Sequence, residues 1–145
     1  MRFATRLPNA SNESGLGLDT IDFFQSLLVG KTIQSLRVVG NVGLGILSDP
    51  VRGDRQNDVL TYGISLARAI TAEAEFVGEI NGRVSTRRGI PPAGTETLGR
   101  MTLGMRYTRG AIRFDGGLFS GFTPRDPRIG ISAGLTWVFE SFLAP

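Results

Sequence analysis

"SLRVVGNVGLGIL", residues 35–47, alternates between apolar residues and small or polar ones. Every second position from Leu36 to Ile46 is apolar except Gly40, and the other side carries Arg37, Asn41, Gly43 and Gly45. A period of two predicts a β-strand with one apolar side. In a soluble sheet that side packs onto a core, whereas in a membrane barrel it faces lipid and the polar side faces a watery lumen.

The composition excludes several classes of protein. The chain has 145 residues, 41% of them hydrophobic, which indicates one folded domain. It lacks an apolar run near the roughly 18 residues that a membrane-spanning helix needs. Cysteine and histidine are absent, which excludes a disulfide scaffold, a histidine-based catalytic triad and the usual thiolate or imidazole metal sites. We therefore predict no enzymatic activity, no catalytic residue, no cofactor and no metal.

The basic charge does not indicate a nucleic-acid partner. The sequence pI is about 10.2, and 16 residues are lysine or arginine. These residues are scattered singly among acids, with no basic helix and no aromatic RNA-binding motif beside them. A nucleic-acid-binding surface concentrates its cations instead.

The alternation recurs along the whole chain. It predicts eight strands, at about 1–7, 20–30, 35–47, 58–68, 74–85, 98–108, 111–122 and 129–139. Most of them approach or exceed the roughly 9–11 residues of a tilted membrane strand. Long polar connections (8–19, 48–57, 86–97 and 123–128) alternate with short ones (31–34, 69–73 and 109–110). That asymmetry is typical of outer-membrane barrels.

Charged residues on the polar side of these strands are the candidate functional residues. They are Arg37, Glu79, Arg83, Arg100, Arg106, Arg113 and Asp115. Burial in a dry core would cost several kcal/mol for each ion, whereas a wet lumen hydrates them. They either set the electrostatics of a pore or form an internal salt-bridge network. A tight turn at Arg109–Gly110 would place Arg106 beside Arg113, with Asp115 diagonal to Arg106.

The sequence therefore predicts an all-β fold, an antiparallel up-and-down transmembrane β-barrel of about eight strands. The barrel occupies residues 1–139, alone or as the carboxy-terminal part of a larger barrel, and 140–145 form a short tail. Apolar side chains face lipid, and aromatic residues form a girdle at each end of the strands.

The stretch "SAGLTWVF" (132–139) resembles the closing-strand signal of bacterial outer-membrane proteins. Gly134 is followed by Trp137 and Phe139 as alternating aromatics. This resemblance implies recognition by the barrel-assembly machinery. The tail "ESFLAP" departs from the pattern, in which the aromatic residue usually comes last.

Four stretches are similar to the outer-membrane transporter family of the MetA pathway of phenol degradation. They are "TRLPNASNESGLGLD" (5–19), "GNVGLGIL" (40–47), "RQNDVLTYG" (55–63) and "LGMRYTRGAIRFD" (103–115). The resemblance covers the carboxy-terminal part of that family. It implies an exported barrel for small, often aromatic or hydrophobic compounds, and it carries no catalytic residues. "MRFATRLPNAS" lacks the apolar core of a signal peptide, so we expect a longer precursor or, failing that, a cytoplasmic protein.

The leading functional hypothesis is a non-enzymatic barrel of the porin or transporter type in the cell outer membrane. Its expected partners are outer-membrane lipid, the barrel-assembly machinery and a small-molecule solute. The first alternative is a closed structural or surface-presenting barrel without a pore, and the second is a soluble ligand-binding barrel.

Overall fold

The structure, a computed structural model, describes residues 1–8, 12–14, 19–49 and 55–139. Eight antiparallel strands form one sheet in chain order, and each strand pairs with the next. They are β1 (Arg2–Arg6), β2 (Asp22–Ile33), β3 (Leu36–Ser48), β4 (Gln56–Ala69), β5 (Ala74–Ser85), β6 (Leu98–Arg109), β7 (Ile112–Gly121) and β8 (Gly130–Trp137). All eight predicted strands are confirmed. The predicted tail at 140–145 lies outside the described residues.

The connections alternate in length as predicted. Three short turns, at Gln34–Ser35, residues 70–73 and Gly110–Ala111, lie at one end of the sheet, which we call the short-turn end. At the other end of the sheet, the long-loop end, strand ends are joined through the connections 7–21, 49–55, 86–97 and 122–129, of which the structure describes residues 7–8, 12–14, 19–21, 49, 55, 86–97 and 122–129. The first of these contains one turn of 3-10 helix at Asn12–Ser14.

The strand register separates the side chains into two faces. Leu44 of β3 lies opposite Gln25 and Leu60, whereas its neighbour Gly43 lies opposite Ser26 and Thr61. Directly opposed residues share a face. Following these pairs across the sheet gives an apolar face, which includes Leu44, and a polar face, which includes Gly43.

The apolar face is the exposed one. Leu44 is 60% exposed and Leu103 is 47% exposed, although both lie in the middle of long strands. The buried side chains belong to the polar face or to the loops beside it, and Leu47 and Val59 there are 1% and 0% exposed. Arg6 and Asp22 of the first two strands also act electrostatically on Arg83 of the fifth. The sheet therefore curls toward its polar face, and the apolar side chains point away from the concave side.

Closure into a barrel is the part of the predicted fold that the structure does not show. Among the described residues no pairing joins β8 to β1, so both are edge strands. These two strands are also among the shortest, at 8 and 5 residues. The observed architecture is an open eight-stranded meander that is curled toward one face.

Candidate functional site: the charged polar face

The seven charged residues predicted to share one face do so. Arg37 lies on β3, Glu79 and Arg83 on β5, Arg100 and Arg106 on β6, and Arg113 and Asp115 on β7. The register connects them through rows of opposed residues on the polar face. They form several local groups rather than one cluster.

The group nearest the short-turn end is centred on Glu75, a residue that the sequence analysis did not single out. Glu75 Oε2 accepts a hydrogen bond from Arg106 Nη1 at 3.0 Å and one from Arg37 Nη2 at 3.4 Å. One carboxylate thus joins strands β3, β5 and β6 across the polar face. We call Arg37, Glu75 and Arg106 the Glu75 triad.

The predicted arrangement around Arg106 is wrong, because the turn between β6 and β7 lies one residue later in the chain than predicted. The turn residues are Gly110 and Ala111, so Asp115 lies directly opposite Arg106 and Arg113 lies opposite Thr108. Gly110 has φ of 57°, the sign that the first central residue of a type II′ turn requires, and glycine adopts it without steric cost. The preference of Gly110 for that position moves the register by two residues from the one expected for an Arg109–Gly110 turn.

An open groove lies beside the Glu75 triad. It has a volume of about 220 Å³, and its lining includes Glu79, Arg106, Arg113, Asp115 and Ser132. Four of the seven predicted residues therefore line one groove, with two cations and two anions. Glu79 also accepts a hydrogen bond from the side-chain amide of Asn81, two residues further along β5 on the same face.

Arg100 uses an aromatic ring instead of a carboxylate. Its guanidinium carbon lies 5.0 Å from the centre of the Phe119 ring, within the range of a cation–π interaction. The Phe119 ring extends over Gly130 of the neighbouring strand, where a Cβ atom would collide with it. The absence of a side chain at Gly130 therefore provides the space that the Phe119 ring occupies.

Arg83 is tied to the long connection 86–97. Its Nε donates to the Glu96 carbonyl oxygen at 3.0 Å, and its Nη2 lies 3.9 Å from Glu96 Oε2. The same carboxylate accepts a hydrogen bond from Gly94 N at 2.7 Å. Thr95 is 2% exposed, so this connection packs against the polar face at the long-loop end.

Further polar contacts at the long-loop end were also not predicted. Asp22, fully buried, forms an ion pair with Arg6 and accepts a hydrogen bond from Ser48 N at 3.1 Å. Arg87 Nη1 donates to Asn57 Oδ1 at 2.8 Å and lies 3.6 Å from Asp49 Oδ2. Alternation gave no clear signal for Asp22, because Phe24 and Leu28 lie on the same side of its strand.

The three residues of the predicted assembly signal lie on both faces of the sheet. Trp137 is opposite Ile112 on the apolar face, and its ring centre lies 4.7 Å from that of Phe139. Both rings are more than half exposed. Gly134 is on the polar face opposite Asp115, whose carboxylate occupies the space that a Cβ at Gly134 would need.

A scan of protein-family models, a search of the curated proteins and a search of the solved structures each gave no match to this chain. The described residues contain no helix long and apolar enough to cross a membrane. Within that same part of the chain, no group of three or more acidic side chains is placed to hold a metal ion.

Proposed function

We propose that this chain is a transmembrane β-barrel protein of the bacterial outer membrane that passes small compounds passively and performs no catalysis. The observation that carries the proposal is the exposed apolar face, which crosses all eight strands. Soluble monomers rarely expose a contiguous apolar patch larger than a few hundred Å². Contact with hydrocarbon removes the cost of exposing it.

Strand length supports the same proposal. Strands β2 to β7 contain 10 to 14 residues each, enough for a tilted strand to cross the hydrocarbon core. A bilayer leaves no water for unpaired backbone groups, so spanning sheets must be closed. We accordingly propose that β1 and β8 are paired in the membrane, with each other or with strands beyond these eight.

The polar face is suited to line an aqueous passage for small solutes. Its strand positions carry seven basic residues (Arg2, Arg6, Arg37, Arg83, Arg100, Arg106 and Arg113) and four acidic ones (Asp22, Glu75, Glu79 and Asp115). Side chains fill the interior of an eight-stranded barrel, so a conducting form needs more strands around the same lumen. The excess of cations predicts selectivity for anions.

The solute class rests on the family resemblance, which implies small hydrophobic or aromatic compounds. The proposed partners follow from the location: outer-membrane lipid around the apolar face, and the barrel-assembly machinery for the closing strand with Trp137 and Phe139. Efflux of a small aromatic acid from proteoliposomes, compared with efflux of a sugar of similar size, tests the solute class.

One observation favours a second candidate, a closed barrel without a conducting pore. The connection 86–97 packs on the polar face through the Arg83–Glu96 pair and the buried Thr95. If this packing persists in a closed barrel, the passage is blocked at its long-loop end.

Conductance across a planar bilayer tests the proposal. We expect the protein refolded in detergent to insert as an oligomer, in which further copies of the chain supply the additional strands around the lumen, and to form anion-selective channels. Arg113→Glu should shift the reversal potential in a salt gradient toward cations, whereas Arg109→Gln, on the apolar face, should leave it unchanged. Inserted protein that stays electrically silent would favour the closed barrel. A monomer that is soluble without detergent would contradict the membrane assignment.

A further inference from the structure

Charged residues on the apolar face follow a strict placement. Within the eight strands, all of which the structure describes, four charged residues lie on that face. Lys31, Arg68 and Arg109 lie at the short-turn end, and Asp58 lies at the long-loop end. The strand centres between them carry no charge on this face.

Each of the three hairpins with a short turn carries one of these cations, near the end of its first strand. Lys31 precedes the turn at Gln34–Ser35, Arg68 precedes the turn at 70–73, and Arg109 directly precedes Gly110. Each is exposed. Their opposed partners are apolar: Val38 for Lys31, Leu36 and Phe76 for Arg68, and Ile112 for Arg109. Each cation therefore has an apolar surface along which its aliphatic stem can lie while its charged end reaches past the edge of the apolar band.

Aromatic side chains accompany the cations. Tyr107 lies opposite Phe114 and Trp137 lies opposite Ile112, all on the apolar face near the short turns. The Tyr107 hydroxyl donates to Glu73 Oε2 at 2.9 Å, so its polar end points to the turn and its ring stays with the apolar band. Tyrosine and tryptophan take this orientation at a membrane–water interface.

We propose that Lys31, Arg68 and Arg109, together with Tyr107 and Trp137, form a rim that docks in the headgroup layer of an anionic phospholipid leaflet. We call these five residues the short-turn rim. The charge is complementary, because three cations meet lipid phosphates and the acid of the adjoining turn, Glu73, is engaged by Tyr107. Each cation near an anionic surface strengthens binding about fivefold. The inference rests on the proposed membrane location and adds which lipid the rim recognises.

Trp137 provides the probe, because it is the only tryptophan in the chain. The protein is added to vesicles of phosphatidylcholine with or without phosphatidylglycerol. Quenching of Trp137 fluorescence by brominated lipid reports insertion. The triple variant K31Q/R68Q/R109Q is compared with R55Q/R88Q/R125Q, which removes three exposed cations from the long-loop end. The charge-conserving variant K31R/R68K/R109K shows whether a loss reflects charge or folding.

We expect phosphatidylglycerol to strengthen insertion of the wild type and of the charge-conserving variant K31R/R68K/R109K. The preference should fall by about fivefold per removed charge in K31Q/R68Q/R109Q and remain in R55Q/R88Q/R125Q. Added inorganic phosphate should weaken insertion no more than chloride of equal ionic strength does. An unchanged lipid preference in K31Q/R68Q/R109Q, or an equal loss in the long-loop control, would overturn the rim. Unquenched Trp137 with both vesicle types would overturn the proposed membrane location itself.

Discussion

At the scale of single residues, glycines determine how closely neighbouring strands approach. A Cβ at Gly104 would lie 2.5 Å from the Gly116 carbonyl oxygen and 3.1 Å from Gly117 Cα. Both obstacles are backbone atoms, which cannot rotate away. At Gly134, in contrast, the obstacle is the end of the Asp115 side chain, which can move. A glycine such as Gly104 is therefore required by the packing of the strands. Gly134 is not required in this way, which is compatible with its proposed role in the assembly signal.

Substitution of Gly104 tests this requirement. We expect Gly104→Ala to destabilise the folded protein by about 1–3 kcal/mol, because overpacking shifts the backbone of two strands. Gly116→Ala is the matched control, since the nearest atom to its Cβ would be Ser132 O at 3.8 Å, and its effect should stay within about 0.5 kcal/mol. Urea unfolding in detergent micelles measures both. Equal effects would contradict the close approach at Gly104.

A second prediction concerns Asp126 in the connection 122–129. Partial burial raises the pKa of its carboxyl group, but hydrogen bonds from Thr123 and from Gly99 N–H, together with the charge of Arg100, outweigh burial and hold this pKa below its ordinary value. A lowered folded-state pKa means that ionised Asp126 stabilises the fold above its ordinary pKa and that this contribution is lost as the pH falls through the lowered value.

Asp126→Asn should therefore reduce stability at neutral pH and have little effect at a pH below the lowered pKa of Asp126. Unfolding midpoints measured across the acid range check this. A stability difference that stays constant with pH would show that the carboxylate charge plays no part.

At the scale of strands and turns, period-two alternation was sufficient to predict all eight strands. The lengths of the segments between them predicted which end of the sheet carries the short turns and which carries the long connections. The alternation also assigned all seven candidate charges to the correct face. It could not predict their partners, because alternation fixes a face but not the register between strands. The Arg106–Asp115 opposition depended on which residues form the Gly110–Ala111 turn. The Arg83–Glu96 pair depends on how a long connection folds back, which carries no periodic signal.

The turn at Gln34–Ser35 contains a testable strain. Gln34 has φ of 54°, a left-handed conformation that costs a residue with a side chain about 1–2 kcal/mol. Gln34→Gly removes this strain but adds the conformational entropy cost of glycine. The net effect should be a stabilisation of the protein by about 0.5–1 kcal/mol. Ser35→Gly, at a residue without positive φ, should not stabilise it. Unfolding in urea checks the pair, and a destabilising Gln34→Gly would refute the strain.

At the scale of the whole molecule, the sheet has its apolar residues on the outside and its charges on the concave side. Leu103 is 47% exposed, whereas the Arg106 side chain, on the opposite face of the same strand, is 27% exposed. Closure of the sheet could not be predicted from alternation, because the pattern on an edge strand is the same whether or not its outer backbone groups are paired. Whether the outer backbone groups of the edge strands β1 and β8 are paired therefore depends on the surroundings of the protein.

The most direct test of that arrangement is the environment of two adjacent side chains in a bilayer. The chain has no cysteine, so Leu103→Cys and Thr102→Cys each accept one spin label at a mid-strand position, on the apolar and polar face respectively. In vesicles we predict that the label at 103 is accessible to dissolved oxygen and shielded from a polar nickel complex, and that the label at 102 shows the reverse. Equal access of the nickel complex to both labels, or the opposite pattern, would contradict the account.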